Sequence, residues 1–264
     1  MKLAIIGGGA MGEAILKACL TAGVARSDEI TVSDVAAGRR DHLSATYGVA
    51  VTDDNAAAVR GAGLVLLGVK PQEFATAAEG LKGRLDTDQT VLSIMAGVPV
   101  ARIAEALGHE AVVRAMPNTA AFVAQAMSVW IAGPGVTVAG RRLAAELLAA
   151  LGRELEVTDE RFLDIATALS GSGPGYVFLF LEALIDAGVA LGLERDAAHE
   201  LATQTLLGTA MLASESDKSA AELREMVTSK GGTTAAGLAV LEEAGVRDAV
   251  VRAVAAAHRR AKEL

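Results

Sequence analysis

The first twelve residues restrict the fold more than any other part of the chain. Leu3-Ala-Ile-Ile6 is a short apolar run that reads as a buried strand, and it leads directly into Gly7-Gly-Gly-Ala-Met-Gly12. Met11 to Ala22 then reads as a helix. Glycines spaced G-x-G-x-x-G between a strand and a helix have separate physical roles. Gly7 allows the tight turn, Gly9 lets a diphosphate approach the backbone, and Gly12 lets helix and strand pack closely. The competing reading is a set of glycines that serve only a turn. It is weakened by the flanks, by the N-terminal position and by Asp34 at the end of the next strand.

The same texture continues through the first half. Ile30-Thr-Val-Ser33, Leu64 to Val69, Thr90 to Ile94 and Ala111 to Ala115 read as further buried strands separated by helical runs. Continuous apolar strands alternating with helices imply a parallel sheet covered on both faces. Ser128-Val-Trp-Ile131 and Glu154-Leu-Glu-Val157 are expected to add edge strands around a helix from Arg141 to Leu151. After Thr158 strand patterns stop, and Ala, Leu and Glu recur at helical spacing; a weak strand pattern at Tyr176–Phe180 is better read as helix. Helix breaks are expected near Gly171–Gly175, Gly192, Ser214–Ser219 and Ser229–Gly232. The predicted class is therefore α/β: an N-terminal Rossmann-type, mostly parallel sheet domain over residues 1–158, then an all-α domain over residues 159–264.

Composition excludes several functions. A formal charge of −8 and scattered Lys and Arg leave no basic face for nucleic acid. The longest nearly uncharged stretch, Ile165 to Leu181, is interrupted by Ser-Gly-Ser-Gly-Pro-Gly, so no membrane span is expected. Cys19, the only cysteine, falls in an apolar helical run and reads as a core residue. No leader pattern precedes Lys2, and one cysteine cannot form an internal disulfide, so the expected compartment is the cytoplasm.

Residues for a dinucleotide gather at the strand ends. Asp34 is placed to hydrogen-bond a ribose 2′-hydroxyl, which favours NAD(H), with a helix N-cap as its competing role. Arg39 and Arg40 favour the opposite, so cofactor choice stays open with a lean to NAD(H). In Gly68-Val-Lys-Pro71 the proline stops the strand, which puts Lys70 either near the cofactor or in a solvated loop. Ser93-Ile-Met-Ala-Gly97 and Met116-Pro-Asn-Thr119 end the next two strands on the same edge, as a lining for the nicotinamide.

A second glycine turn points to the substrate. In Met226-Val-Thr-Ser-Lys-Gly-Gly-Thr-Thr-Ala-Ala-Gly-Leu-Ala-Val-Leu-Glu242, a hydroxyl-rich turn from Ser229 to Thr234 opens an amphipathic helix. Backbone N–H groups at such a helix start form an anion pocket, here from Gly231 and Gly232 for a carboxylate. An ordinary Ser/Thr cap is the bland alternative. Alcohol chemistry needs a side-chain proton acceptor, usually His or Lys, and Gly171 to Gly192 contains neither. His42 and His109 fall in first-domain helical segments, and His199 and His258 lie among alanines on late helices. An imine needs less, because its nitrogen protonates near neutral pH. A hydroxyl from Thr233 or Thr234 suffices as its hydrogen-bonding partner.

Taken in order, these motifs resemble the pyrroline-5-carboxylate reductase family almost end to end. The resemblance rests on Ile6-Gly-Gly-Gly-Ala-Met-Gly12, Val69-Lys-Pro71, Ala96-Gly-Val98, Arg114-Ala-Met-Pro-Asn-Thr119, Ser170-Gly-Ser-Gly-Pro174 with Tyr176-Val-Phe178, and Met226–Glu242. It implies hydride transfer from NADPH or NADH to the C=N carbon of 1-pyrroline-5-carboxylate, giving L-proline in the last step of proline synthesis. It implies no metal, no nucleic-acid partner and a homodimer through the helical domain, with further assembly possible. By resemblance Thr234 contacts the substrate nitrogen, Ser229, Gly231, Gly232 and Thr233 take the carboxylate, and Asp217 is the acidic residue near the substrate. The cofactor positions are Ile6, Gly7, Gly8, Gly9, Ala10, Met11, Gly12, Asp34, Asn55, Gly68, Val69, Lys70, Pro71, Ile94, Met95, Ala96 and Asn118.

Three residues depart from the family pattern. Ala10 stands where Asn is usual, Gly175 where Ala is usual, and Lys230 where Pro is usual. Lysine at 230 restores a backbone donor and adds flexibility and charge to the substrate turn. Two other readings remain at this level: a reductase of another cyclic imino acid, and a non-catalytic NAD(P)-binding regulator. The regulator has no need for the Ser229–Thr234 chemistry.

Overall fold

A computed structural model describes residues 1–263. The chain divides into two compact units, Met1–Ser172 together with the segment from Ala257 onward, and Gly173–Ala256.

The first unit runs β1 (Leu3–Ile6), α1 (Ala10–Thr21), β2 (Ile30–Ser33), α2 (Ala37–Tyr47), β3 (Ala50–Thr52), α3 (Asn55–Ala58), β4 (Leu64–Leu67), α4 (Phe74–Leu81), β5 (Thr90–Ser93), α5 (Val100–Leu107), β6 (Val112–Met116), β7 (Ala126–Ala132), α6 (Val138–Ala150), β8 (Gly152–Glu156) and α7 (Arg161–Ala166). The eight strands form one sheet in the order β3-β2-β1-β4-β5-β6-β7-β8. All pairings are parallel except β6 with β7. Strand order reverses between β1 and β4, the switch point at which open α/β sheets bind ligands.

Side-chain alternation divides the apolar strands between two cores. Leu3, Ile5, Leu64 and Leu66 join α1 and α6 in one cluster that includes Ile15, Leu16 and Leu147. Ala4, Ile6, Val65 and Leu67 join Phe74, Leu81 and Ile103 in the other. Because successive residues point to opposite faces, a strand covered on both sides must be apolar at every position. The buried thiol of Cys19 belongs to the first cluster, and burial pushes its pKa up to about 12, so it is inert packing.

Several sequence expectations need correction. β7 is not an edge strand, since it lies between β6 and β8; β8 is the edge. β3 was not foreseen, because three residues, none of them buried, on the opposite edge carry little apolar signal. His109 is not helical: α5 ends at Leu107 with Gly108 in the left-handed region, and the buried imidazole contacts the Gln89 carbonyl at 2.8 Å. The expected break near Gly171–Gly175 shrinks to a one-residue bend at Ser172. Thr167–Gly171 forms a π turn that leads into α8 (Gly173–Ala190), where Pro174 sits in the first turn and its missing N–H costs nothing. As a result Arg161–Ala190 is, by length and composition alone, long and apolar enough to cross a membrane, contrary to expectation.

The second unit contains α8, α9 (Arg195–Glu215), α10 (Ala220–Met226), α11 (Thr233–Glu243) and most of α12 (Val246–Ala261). Its own core is small: Ile185, Ala198 and Ala202 form the buried cluster between α8 and α9. Val177, Phe178, Leu179, Leu207, Met211 and Leu212 are exposed on the isolated chain.

Gly12 shows how tight the β1–α1 turn is. A Cβ there would run into the carbonyl oxygen of Gly7 on rigid backbone. Gly12→Ala is expected to lower stability by about 1–3 kcal/mol, measured as a reduced midpoint in denaturant unfolding.

Candidate active site

The register of the central strands builds one end of the site. Ile6 pairs with Ser33 on β2 and with Leu67 on β4. Gly7, Asp34 and Gly68 therefore leave the sheet at the same level. Ser93 pairs with Leu67 and Arg114 with Ser93, which brings Ile94 and the end of β6 to that edge as well. Of the cofactor residues expected from the sequence, the Gly7–Gly12, Asp34, Gly68–Pro71 and Ile94–Ala96 segments all meet there.

The glycine turn suits a diphosphate. Gly7 has φ +98°, and a Cβ on it would stand 2.8 Å from the backbone of Gly68 and Val69. Gly9 is the N-cap of α1, no side chain caps the helix, and the space where its Cβ would point is open. Uncapped N–H groups at a helix start, approached over an open glycine, are what a dinucleotide's diphosphate requires.

The flanking residues are more specific than the motif alone suggested. Asp34 Oδ2 accepts from Gly8 N–H and Oδ1 from Ala36 N–H, both at 2.9 Å. Ala36, not Asp34, is the N-cap of α2, so the capping alternative for Asp34 falls away. Asn55 Oδ1 accepts from the Ser33 hydroxyl at 2.7 Å. Met95 is 2 % exposed and packed in the second core, which leaves only its backbone for a ligand. Asn118 is committed structurally: Nδ2 donates to Ser170 O at 3.0 Å, and Oδ1 accepts from Ala120 N–H at 3.2 Å. Lys70 and Pro71 are exposed.

A cluster around Glu13 went unnoticed in the sequence. Glu13, in the first turn of α1, contacts His42 Nε2 and accepts from Tyr47 OH, each at 2.9 Å on Oε1, and accepts from Arg39 on Oε2. Arg39 also donates from Nε to Gly8 O and from Nη2 to Gly9 O at 3.3 Å. Burial pushes the Glu13 carboxyl up, but the hydrogen bonds from His42, Arg39 and Tyr47 outweigh it and bring the pKa down to about 2. The available signal was Arg39 and His42 three residues apart on one helix face. Their partner lies on another helix, out of reach of sequence spacing. Arg114, buried on β6, pairs with Glu160, the N-cap of α7, at 2.9 Å and with Asp164 on α7 at 3.5 Å, a role its motif alone does not indicate.

The second glycine turn lies in the other unit. Gly231 has φ +73°, and Gly232 is the N-cap of α11 with no side-chain cap. Gly232 N–H already donates to Ser229 O at 3.0 Å, so it is not free for a carboxylate. The amides at the start of α11, from Thr233 onward, are those without a side-chain cap. Ser229, Lys230, Thr233 and Thr234 are exposed, and Asp217 lies exposed in the bend after α9. Among the described residues, no group of three or more His, Cys, Asp or Glu could hold a metal ion.

Comparison with known proteins covers the whole chain. A family model described as pyrroline-5-carboxylate reductase dimerisation matches residues 160–264. One described as NADP oxidoreductase, coenzyme F420-dependent, matches residues 2–97. The chain is 43 % identical to pyrroline-5-carboxylate reductase of Synechocystis over 264 residues, covering 100 % of this chain and 98 % of the relative. It is 40 % identical to that of Methanosarcina acetivorans, covering 100 % and 97 %. Among solved structures, pyrroline-5-carboxylate reductase of Coxiella burnetii superposes with TM-score 0.92 at 36 % identity, covering 99 % and 97 %. Pyrroline carboxylate reductase of Plasmodium falciparum with NADP bound superposes with TM-score 0.90 at 29 % identity, covering 100 % and 97 %.

The Glu13 cluster has a pH signature. A carboxyl whose folded pKa is depressed contributes stability above its ordinary value, and loses it as pH falls through the folded value. Stability from Glu13 is thus fully present above about pH 4.5 and disappears toward pH 2. Glu13→Gln is expected to flatten this part of the acid-unfolding curve relative to wild type, read by circular dichroism between those pH values.

Proposed function

The chain belongs to the pyrroline-5-carboxylate reductase family, and from that premise we propose how its residues divide the work. The reaction is reduction of 1-pyrroline-5-carboxylate to L-proline with NADPH or NADH. When bound at the β1–β4 switch point, the nicotinamide cofactor supplies the hydride for the C=N carbon.

The observation that carries the substrate assignment is the uncapped start of α11, where Thr233 and Thr234 stand behind a glycine N-cap. The amides from Thr233 onward bind the substrate carboxylate, helped by the positive end of the helix. Ser229, Gly231 and Gly232 shape the turn, with the Gly232 N–H holding Ser229 in place. Thr234 Oγ1 accepts a hydrogen bond from the protonated imine nitrogen and orients the ring. Asp217 supplies negative charge that favours the protonated, electrophilic form. Lys230 adds a positive charge to the turn and strengthens carboxylate attraction.

The glycine turn and Asp34, Asn55, Gly68–Pro71 and Ile94–Ala96 hold the dinucleotide. Met95 contributes backbone only, and Asn118 acts indirectly by tying the end of β6 to the π turn. Residues 159–264 act as the substrate-binding and dimerisation domain. A homodimer is the reading that the exposed Phe178, Leu179, Met211 and Leu212 support, because apolar surface of this extent is covered in a stable protein.

Turnover of NADH and NADPH, measured side by side, should depend on added 1-pyrroline-5-carboxylate; no turnover with either cofactor would refute the assignment. Thr234→Ala should lower kcat/KM about tenfold to a hundredfold, the loss of one hydrogen bond to a charged group. Unchanged kcat/KM would remove Thr234 from the mechanism. Light scattering of the purified protein should give the mass of a dimer or a multiple of it, and a monomer would contradict the helical-domain assignment.

A further inference from the structure

We propose that Glu13 sets dinucleotide preference, by holding Arg39 away from the position a ribose 2′-phosphate would occupy, so that the chain favours NAD(H). The inference rests on the cofactor site described above but not on the identity of the substrate. Asp34 and Arg39 both lie against Gly8, the first accepting from its N–H at 2.9 Å and the second donating to its carbonyl. The ribose next to the diphosphate turn therefore meets a carboxylate and, beside it, two arginines.

Neither arginine is available. Arg39 is committed to the carbonyls of Gly8 and Gly9 and to the Glu13 carboxylate, and its side chain is only 26 % exposed. Arg40 donates to the carbonyls of Asp34 and Val35 at 2.8 and 3.0 Å, and pairs with Asp53 at 3.5 Å. A 2′-phosphate would thus face the Asp34 carboxylate with no uncommitted guanidinium beside it, whereas a 2′-hydroxyl can donate to Asp34. Glu13 is the part of this lock that does not belong to the glycine turn. His42 and Tyr47 hold its other oxygen in place, so its grip on Arg39 is pre-oriented. Glu13 is a positioning residue: it acts through Arg39, not on the cofactor.

The test is binding without turnover. Isothermal titration of NAD⁺ and NADP⁺ into the purified enzyme, with no substrate present, should show NAD⁺ binding about tenfold tighter or more. Glu13→Gln should close that gap by about tenfold through tighter NADP⁺ binding, and adding Arg39→Ala should reopen it. Tighter NADP⁺ binding by wild type, or an equal change in both affinities in Glu13→Gln, would overturn the proposal. Should Glu13→Gln fail to fold, Arg39→Gln gives the same decision. It should weaken both dinucleotides in the same proportion, and a selective loss of NADP⁺ binding would make Arg39 a phosphate ligand and overturn the idea. Because no substrate enters these titrations, failure of the reductase assignment would leave their outcome unaffected.

Discussion

The level register of β1 with its two neighbours is the constraint on which the rest of the cofactor half depends. Ile6 faces Ser33 on one side and Leu67 on the other, so three turns emerge together at the point where strand order reverses. A slip of one residue would turn every strand side chain to the opposite face. The two cores forbid such a slip, since they take alternate residues from the same strands. Gly7 and Gly68 can then approach closely, and α1 begins directly over the turn with its amides uncapped.

Charged residues around this edge serve geometry before chemistry. Asp34 accepts from the N–H of Gly8 while Arg39 donates to its carbonyl, and Glu13 ties Arg39 to α1. Further along the sheet, Arg114 is buried beneath Glu160 and Asp164, and Glu160 also accepts from Val100 N–H at 2.9 Å. A buried cation without such partners would be costly, so these acids on and beside α7 are part of what allows an arginine in a central strand.

The helical half obeys a different rule. Its helices bury few residues of their own, yet they carry many large apolar side chains. The pattern is that of a unit completed by association, and the length and apolarity of Arg161–Ala190 fit it. The π turn ends at Gly171, Ser172 is a bend, and α8 takes up Gly173, Pro174 and Gly175 in its first turn, so residues that, read singly, look like a long break interrupt the helix at one position.

Sequence alone determined that the sheet is mostly parallel and covered on both faces, because wholly apolar tetrads such as Leu3–Ile6 and Leu64–Leu67 suit a strand buried on both sides; the strand order came from the structure. The sequence also determined the two glycine turns, whose spacing follows from backbone geometry, and the motifs that carry the family. Weakly patterned pieces were not legible: β3 is a three-residue edge strand, and His109 looked helical until Gly108 ended α5. Only the tertiary structure decided which polar atoms are free. It committed Arg39, Arg40, Asn118 and the Gly232 amide to partners within the chain, and left the starts of α1 and α11 uncapped. Most of those partners lie on other elements or far along the chain. Hydrogen bonds are settled over a few ångströms of space, and a one-dimensional spacing contains no such distance.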